Sequence, residues 1–162
     1  MKKMRLFMLL SLLMVCLSGI ASAHTWEWIT SSDTTGFYYS RGSAVRLNDN
    51  RQAGESGHVK AWFKVQYEDE NVRQNRIRRA KQYIENGILE KKSGNLSDLY
   101  FIITQDEYKN VKGTIYYREL STVIYDYAGN VIARGHHAAN WGEIIPGSIG
   151  MREYEYALAR AR

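Results

Sequence analysis

The most regular pattern in the chain is an alternation of hydrophobic and polar positions from residue 58 to residue 67. Such a period of two is typical of a β-strand that packs one face against a hydrophobic core. The opposite parity of this segment carries Lys60, Trp62 and Lys64. The pattern therefore predicts a strand with a tryptophan between two lysines on its second face.

Shorter hydrophobic segments predict further strands on both sides of this one. Trp26 and Trp28 alternate with a polar residue near the start of the sequence. Short strands are expected at 38–39 and 44–45, before a polar loop over 48–57. In the second half of the chain four segments are expected to be strands: 96–104, 111–120, 121–127 and 131–135, the last two joined by a tight turn at Gly129-Asn130.

The hydrophobic period changes after residue 69. Residues 70–86 are expected to form an amphipathic helix, with Asp69 and Glu70 at the end where negative charge is favourable. Gly87 suits the left-handed position that follows a helix, and a polar loop is expected over 90–95. Hydrophobic residues recur along this helix at steps of three and four: Ile77, Ala80, Ile84 and Ile88.

A second helix is expected at the C-terminus. Pro146-Gly147 is a turn dipeptide, and the Ser148 side chain can accept a hydrogen bond from a backbone N–H of the following helix. Four hydrophobic residues then share one helix face: Met151, Tyr154, Leu158 and Ala161. Together the patterns predict an α+β fold, a mainly antiparallel sheet of about six strands packed against a mid-chain helix and a C-terminal helix.

The first 23 residues have the three parts of a secretory signal peptide. Two lysines and an arginine form a positive start, a hydrophobic stretch follows over 6–20, and small residues at 21–23 form a cleavage site. We therefore expect removal of 1–23, which leaves one exported domain over 24–162 without a transmembrane segment. Its expected location is the periplasm, the cell surface or the medium.

The composition of the chain excludes further classes of function. The whole chain has 22 basic and 17 acidic residues, but three basic residues lie in the signal segment, so the mature charge is +2. A charge this small gives no reason to expect nucleic-acid binding. The single cysteine, Cys16, also lies in the signal segment. A disulfide scaffold and a cysteine-based metal site are therefore excluded for the mature domain.

The sequence lacks the motifs that mark common catalytic sites. It has no nucleophile elbow, no phosphate-binding loop and no glycine-rich dinucleotide motif. We therefore expect a protein that is not an enzyme and that needs no cofactor.

Four segments of the mature chain share their order and spacing with a known family. They are Trp26-Glu27-Trp28-Ile29, Tyr38-Tyr39 with Ser43-Ala44-Val45, the segment 62–67, and Tyr125-Asp126 with Gly129, Trp141 and the segment 145–148. In this order they resemble the surface-adhesin protein E family of Gram-negative bacteria. The resemblance covers nearly the whole mature chain and implies an antiparallel sheet carrying helices and a surface or periplasmic location. It also implies binding of host proteins such as plasminogen, vitronectin and laminin.

Three features of the chain depart from that family's pattern. The mature chain lacks the family's pair of cysteines. Met151 stands where a glutamate would complete a capping box with Ser148. Val15 before Cys16 is too bulky for a lipid-attachment signal. A soluble exported protein is therefore expected rather than a lipid-anchored one.

These observations favour an exported, non-enzymatic binding domain, similar to bacterial surface adhesins that bind host extracellular-matrix or plasma proteins. The candidate contacts on the sheet are Lys60, Trp62 and Lys64, because tryptophan is a frequent interface anchor. The alternative for Trp62 is a structural position beneath a helix, with the lysine stems extending along it to solvent.

Basic residues in the mid-chain helix offer a second contact surface. Five fall within nine positions: Arg73, Arg76, Arg78, Arg79 and Lys81. Of these, Arg76, Arg78 and Arg79 are the candidates for contact with anionic glycans or acidic host proteins. The alternative is an ordinary solvated helix face. An open edge strand of the sheet would also allow a homodimer.

A different class of function is a periplasmic envelope protein with a metal-binding or structural role. Cleavage after Ala23 would leave His24 at the N-terminus, where its amine and ring nitrogens suit Cu(II). His58, His136 or His137 could supply a further ligand. His136 and His137 are adjacent, so in a strand they would point to opposite faces and only one could join such a site.

Overall fold

The computed structural model describes residues 25–162, so the expected signal segment and His24 lie outside the described residues. Within this range the chain forms nine strands and two α-helices. The strands are β1 (Trp26–Ser32), β2 (Thr35–Ser40), β3 (Val45–Arg46), β4 (Glu55–Tyr67), β5 (Glu90–Lys91), β6 (Leu99–Val111), β7 (Thr114–Asp126), β8 (Val131–His136) and β9 (Gly142–Glu143). The helices are α1 (Glu70–Glu85) and α2 (Ile149–Arg160), with short 3-10 turns at Arg51–Ala53 and Leu96–Asp98.

All nine strands form one antiparallel sheet. The main path runs β1-β2-β4-β6-β7-β8-β5. Two short strands pair with the long central strands at positions that their longer neighbours do not reach. β3 pairs with β4 beyond the end of β2, and β9 pairs with β7 beyond the end of β8. The predicted α+β class with a mostly antiparallel sheet is confirmed, whereas six strands was an undercount.

The central strands are longer than the sequence pattern predicted. β4 begins at Glu55, inside the expected polar loop, and β6 continues to Val111. The two strands predicted over 111–120 and 121–127 are one strand, β7, which covers only 114–126 of them, since Val111 ends β6. Residues 90–91, expected in a loop, form β5 because they pair with Ala133 and Arg134 of β8. These extensions form because the residues pair with strands that are distant in the sequence. A pattern of neighbouring residues carries no information about such pairing.

Both helices pack on the same face of the sheet, side by side. The hydrophobic parity of β4 from Val59 to Tyr67 points toward them and contributes to two clusters. The first cluster lies under α2 and includes Val59, Phe63, Tyr108 and Tyr154. The second lies under α1 and comprises Tyr67, Ala80, Leu89, Leu99, Ile102, Ile124, Ile132 and Ala133.

The predicted helix ends are confirmed. Asp69 caps α1 by accepting a hydrogen bond from the backbone N–H of Val72 at 3.0 Å, and Gly87 follows its end at φ +70°. Ser148 caps α2 by accepting from the backbone N–H of Met151. Side chains that satisfy backbone groups at helix ends act locally, which is why the sequence identifies them.

We expect Gly135→Ala in β8 to destabilise the fold. A Cβ at Gly135 would lie 2.3 Å from the carbonyl oxygen of Ile88 and 2.7 Å from Leu89 Cδ2. The backbone that leads into β5 would have to move, at a cost of about 1–3 kcal/mol. Urea unfolding measures the loss.

Gly150→Ala is the matched control for this change. Its Cβ would meet only the Ile144 side chain at 3.7 Å or more, within α2, so we expect no loss of stability. Equal stability of the two variants would contradict the close packing of β8 against residues 88–89.

Candidate functional site

One face of the sheet carries no helix from residues 25–162. Since α1 and α2 pack against the hydrophobic parity of β4, Lys60, Trp62 and Lys64 project from the opposite face. We call it the open face. Through the register of β4, β6 and β7, it also carries four hydrophobic side chains: Phe101, Ile103, Val123 and Tyr125.

A shallow hollow lies in the middle of the open face. Its volume is about 140 Å³, and its lining is mainly apolar: Trp26, Trp62, Ile103, Val123 and Tyr125. Beside it the rings of Phe101 and Tyr125 stack with centroids 4.7 Å apart. Trp62 is half-buried in this lining. The predicted alternative, Trp62 beneath a helix, is therefore not what the structure shows.

Lys64 stands among three aromatic rings at the edge of this hollow. Its Nζ lies 4.2 Å from the ring centroid of Tyr38, 5.6 Å from Phe101 and 5.7 Å from Trp26. Partial burial lowers the pKa of the Lys64 amine below its usual value. Cation–π attraction to the rings favours its charged form.

At the other end of the open face, charges pair with one another. Glu107 is buried and accepts from Arg118 at 2.7 Å, and it lies 2.6 Å from His58 Nε2. Burial raises the pKa of Glu107, but its hydrogen bonds from Arg118 and His58 outweigh that effect and the pKa is lowered. Lys109 pairs with Glu55 at 2.6 Å.

Trp141 covers this charged end. Its ring lies 4.5 Å from Lys109 Nζ and 4.6 Å from the guanidinium carbon of Arg118. The acids of this end are thus neutralised by neighbouring cations. Lys60 and Lys64 have no acidic partner among the described residues, so they give the open face a net positive charge.

The basic residues of α1 do not join this surface. Arg78 and Arg79 are exposed on the far side of α1, and α1 itself covers the opposite face of the sheet. Arg76 is half-buried and acts electrostatically on Asp106 and Tyr67 beneath the helices. The six predicted contact residues therefore divide between two sides of the molecule.

A second concave site, which the sequence did not indicate, lies on the helix face. A cavity of about 320 Å³ opens between the start of α2 and strands β6, β7 and β9. We call it the acidic cavity. Its lining includes three acids, a serine, a glycine and apolar residues: Asp106, Glu143, Glu153, Ser148, Gly150, Tyr117, Ile144 and Ile145.

Two of the acids of the acidic cavity, Asp106 and Glu153, have raised pKa values. Burial raises the pKa of Asp106 well above its usual value, and the charges of Glu153 and Glu119 raise it further. A hydrogen bond from the Thr104 hydroxyl at 3.0 Å opposes this shift. Burial raises the pKa of Glu153 to about 7, against a hydrogen bond from Tyr108 at 3.3 Å.

The histidines lie apart from one another. His58 contacts Glu107, His137 Nε2 lies 3.4 Å from Glu119, and His136 is exposed. Within residues 25–162 no group of three or more His, Cys, Asp or Glu side chains is arranged to hold a metal ion. His24 is outside that range, so copper binding through it stays a prediction.

Comparison of the chain with protein-family models, with curated proteins and with solved structures gives no match. The resemblance to the surface-adhesin protein E family therefore stays a hypothesis. In the described part of the chain, neither helix is long and apolar enough to cross a membrane.

Because neighbouring residues of β4 lie on different faces of the sheet, we expect their substitution to lower the free energy of unfolding by different amounts. Phe63 is completely buried under α2, so Phe63→Ala is expected to cost about 3–5 kcal/mol of unfolding free energy. Trp62 is half-buried on the open face, so Trp62→Ala is expected to cost less than about 2 kcal/mol. Chemical denaturation measures both values, and the opposite order would contradict the assignment of the faces.

Because the pKa of the Glu153 carboxyl is raised, we expect the free energy of unfolding to decrease as pH rises. The folded protein holds this proton to about pH 7, whereas the unfolded chain loses it near the usual value of 4.5. Between these pH values the unfolded state binds fewer protons, so Glu153 lowers the unfolding free energy by up to about 1.4 kcal/mol per pH unit.

The comparison of wild type with Glu153→Gln isolates this contribution. We expect the wild type to lose stability relative to the variant from pH 4.5 to pH 7 in urea unfolding experiments. Glu155→Gln, on the exposed side of α2, is the control and should run parallel to the wild type. A constant difference between wild type and Glu153→Gln would show that Glu153 is not buried as described.

Proposed function

We propose that the chain is an exported, non-enzymatic binding domain that holds an extracellular-matrix or plasma protein on the open face. The observation that carries this proposal is a pair of lysines, Lys60 and Lys64, that have no acidic partner within residues 25–162 and lie beside a half-exposed aromatic surface. The expected signal segment 1–23 supports export.

The physical basis is the chemistry of protein interfaces. Aromatic side chains give large contact areas with little loss of conformational entropy, and tryptophan is prominent among residues that dominate binding energy. The unneutralised lysines would attract an acidic segment and fix its orientation. A partner with carboxylates next to apolar side chains would complement both features of the open face.

A rigid sheet suits this role. Most side chains of the open face come from β4, β6 and β7, three adjacent strands of 13 residues each. Their positions are fixed by main-chain pairing and by the two hydrophobic clusters on the other face. The binding surface would therefore be formed before a partner arrives, which reduces the entropy lost on association.

The test measures binding of the mature chain 24–162 to immobilised vitronectin, laminin and plasminogen by surface plasmon resonance. Trp62→Ala should weaken binding at least about 10-fold, and Lys64→Ala should weaken it with a smaller dependence on salt. Arg78→Ala, on the other side of the molecule, should stay within about twofold of wild type.

Two results would overturn this proposal. One is unchanged binding by Trp62→Ala while Arg78→Ala weakens it, which would move the interface to α1. The other is the absence of binding to all three proteins combined with tight binding to heparin, which would assign the open face to an anionic glycan.

A further inference from the structure

One row of paired residues crosses the open face from β4 to β8. Residues that lie directly opposite each other in antiparallel strands carry their side chains on the same face. The register pairs Lys64 of β4 with Ile103 of β6, and Ile103 with Val123 of β7. Val123 pairs in turn with Arg134 of β8. We call these four residues the cross-strand row, in which two hydrophobic side chains lie between two cations.

The far end of this row opens into a second hollow of the open face. Its volume is about 540 Å³, and Val123, Arg134 and His136 contribute to its lining. Val123 also lines the aromatic hollow that contains Trp62. The two hollows therefore adjoin at Val123, and the concave surface continues from the aromatic centre of the open face to the exposed Arg134.

The two cations of the row have no acidic partner within residues 25–162. Lys64 stands among aromatic rings, as described above. Glu90 of β5 lies opposite Arg134 in the register, but its carboxylate pairs with Lys92 at 2.5 Å. Carboxylates of a partner would therefore supply the missing acid at each end of the row.

The separation of the two cations defines the spacing of those carboxylates. Three strand-to-strand steps lead from Lys64 to Arg134, and at about 4.8 Å for each step their Cα atoms lie about 14 Å apart. An extended chain advances about 3.3 Å per residue, so its residues i and i+4 lie about 13 Å apart. The side chains at i, i+2 and i+4 point in the same direction, so the side chain at i+2 would lie over the middle of the row.

The hydrophobic middle of the row favours a polypeptide over a sulfated glycan. Ile103 and Val123 are half-buried, and their side chains offer no hydrogen-bonding group. Hydroxyl and sulfate groups placed on them would lose water without gaining a partner, which is unfavourable. A hydrophobic side chain placed there would instead remove apolar surface from water.

We propose that the open face binds an extended polypeptide segment with acidic residues at positions i and i+4 and a hydrophobic residue at i+2. The two carboxylates pair with Lys64 and Arg134, and the hydrophobic side chain lies between them. The segment crosses the strands of the sheet rather than adding a strand to its edge. This inference rests on the proposed function, because it specifies the partner segment for the same surface.

Two peptides of identical composition test the spacing on the mature chain 24–162. Both have nine residues, blocked ends, a central leucine at position 5 and serine elsewhere. The first carries glutamate at positions 3 and 7, and the second carries glutamate at positions 4 and 6. Fluorescence anisotropy of the labelled peptides at low salt should show binding of the first peptide about fivefold tighter, because it alone reaches both cations.

Three variants assign this preference to the far end of the row. Arg134→Ala should make the two peptides bind equally, whereas Arg134→Lys keeps the charge and should keep the preference. Lys91→Ala is the matched control, because Lys91 is exposed on the adjacent strand β5 and pairs with Ala133, on the other face of the sheet. It should leave the preference unchanged.

Equal binding of the two peptides to the wild type, or a preference that persists in Arg134→Ala, would overturn the inference. A heparin oligosaccharide that binds more tightly than the first peptide and depends on Arg134 would also overturn it, because the row would then hold a sulfated glycan.

The inference and the proposed function fail in different ways. Equal binding of the peptides, while vitronectin, laminin or plasminogen still binds through Trp62, would overturn the inference alone. The expected peptide preference without binding to any of these three proteins would support the inference and overturn the proposed partners.

Discussion

The structure depends on the pairing register of β4, β6 and β7. Side chains alternate along each strand, so the register decides which residues meet across the three strands and on which face. On the helix face, Val65 pairs with Ile102, which pairs in turn with Ile124, and Phe63 pairs with Thr104. A shift of one residue would bury Lys60, Trp62 and Lys64 under the helices, so the hydrophobic clusters and the open face are consequences of one constraint.

A bulge in this pairing brings a further carboxyl close to the acidic cavity. Gln105 pairs with Ser121 and Asp106 pairs with Glu119, so Leu120 is the extra residue of β7. The extra residue reverses the alternation of β7 and brings Glu119 to the helix face beside Asp106. A polar row therefore separates the two hydrophobic clusters. The clusters stabilise the fold on both sides, which allows it to keep buried carboxyls where the helices do not meet.

The sequence predicted what local physics determines. The alternation of β4, the start of α1 after Asp69 and the Ser148 cap depend on neighbours in the chain, and they were confirmed. Of the predicted stripe of α1, Ile77, Ala80 and Ile84 pack on the second cluster, whereas Ile88 lies beyond the helix and is exposed. The sequence pattern divided β7 at residues 120 and 121, where the bulge interrupts its period. β5 and β9 have two residues each and exist only through pairing with distant strands. Asp106 and Glu153 meet only after α2 packs on the sheet, so no spacing revealed their cavity.

The separation of the predicted contact residues follows from the same alternation. The hydrophobic stripe of α1 must pack on the hydrophobic parity of the sheet, because both would otherwise face water. The exposed side of α1, with Arg78 and Arg79, then points away from the face that carries Trp62. A single partner could contact both surfaces only by extending around the edge of the sheet, because the sheet and α1 lie between them. The lysines of β4 and the arginines of α1 therefore act as separate surfaces. Within residues 25–162, the first surface combines aromatic contact area with lysines that have no acidic partner.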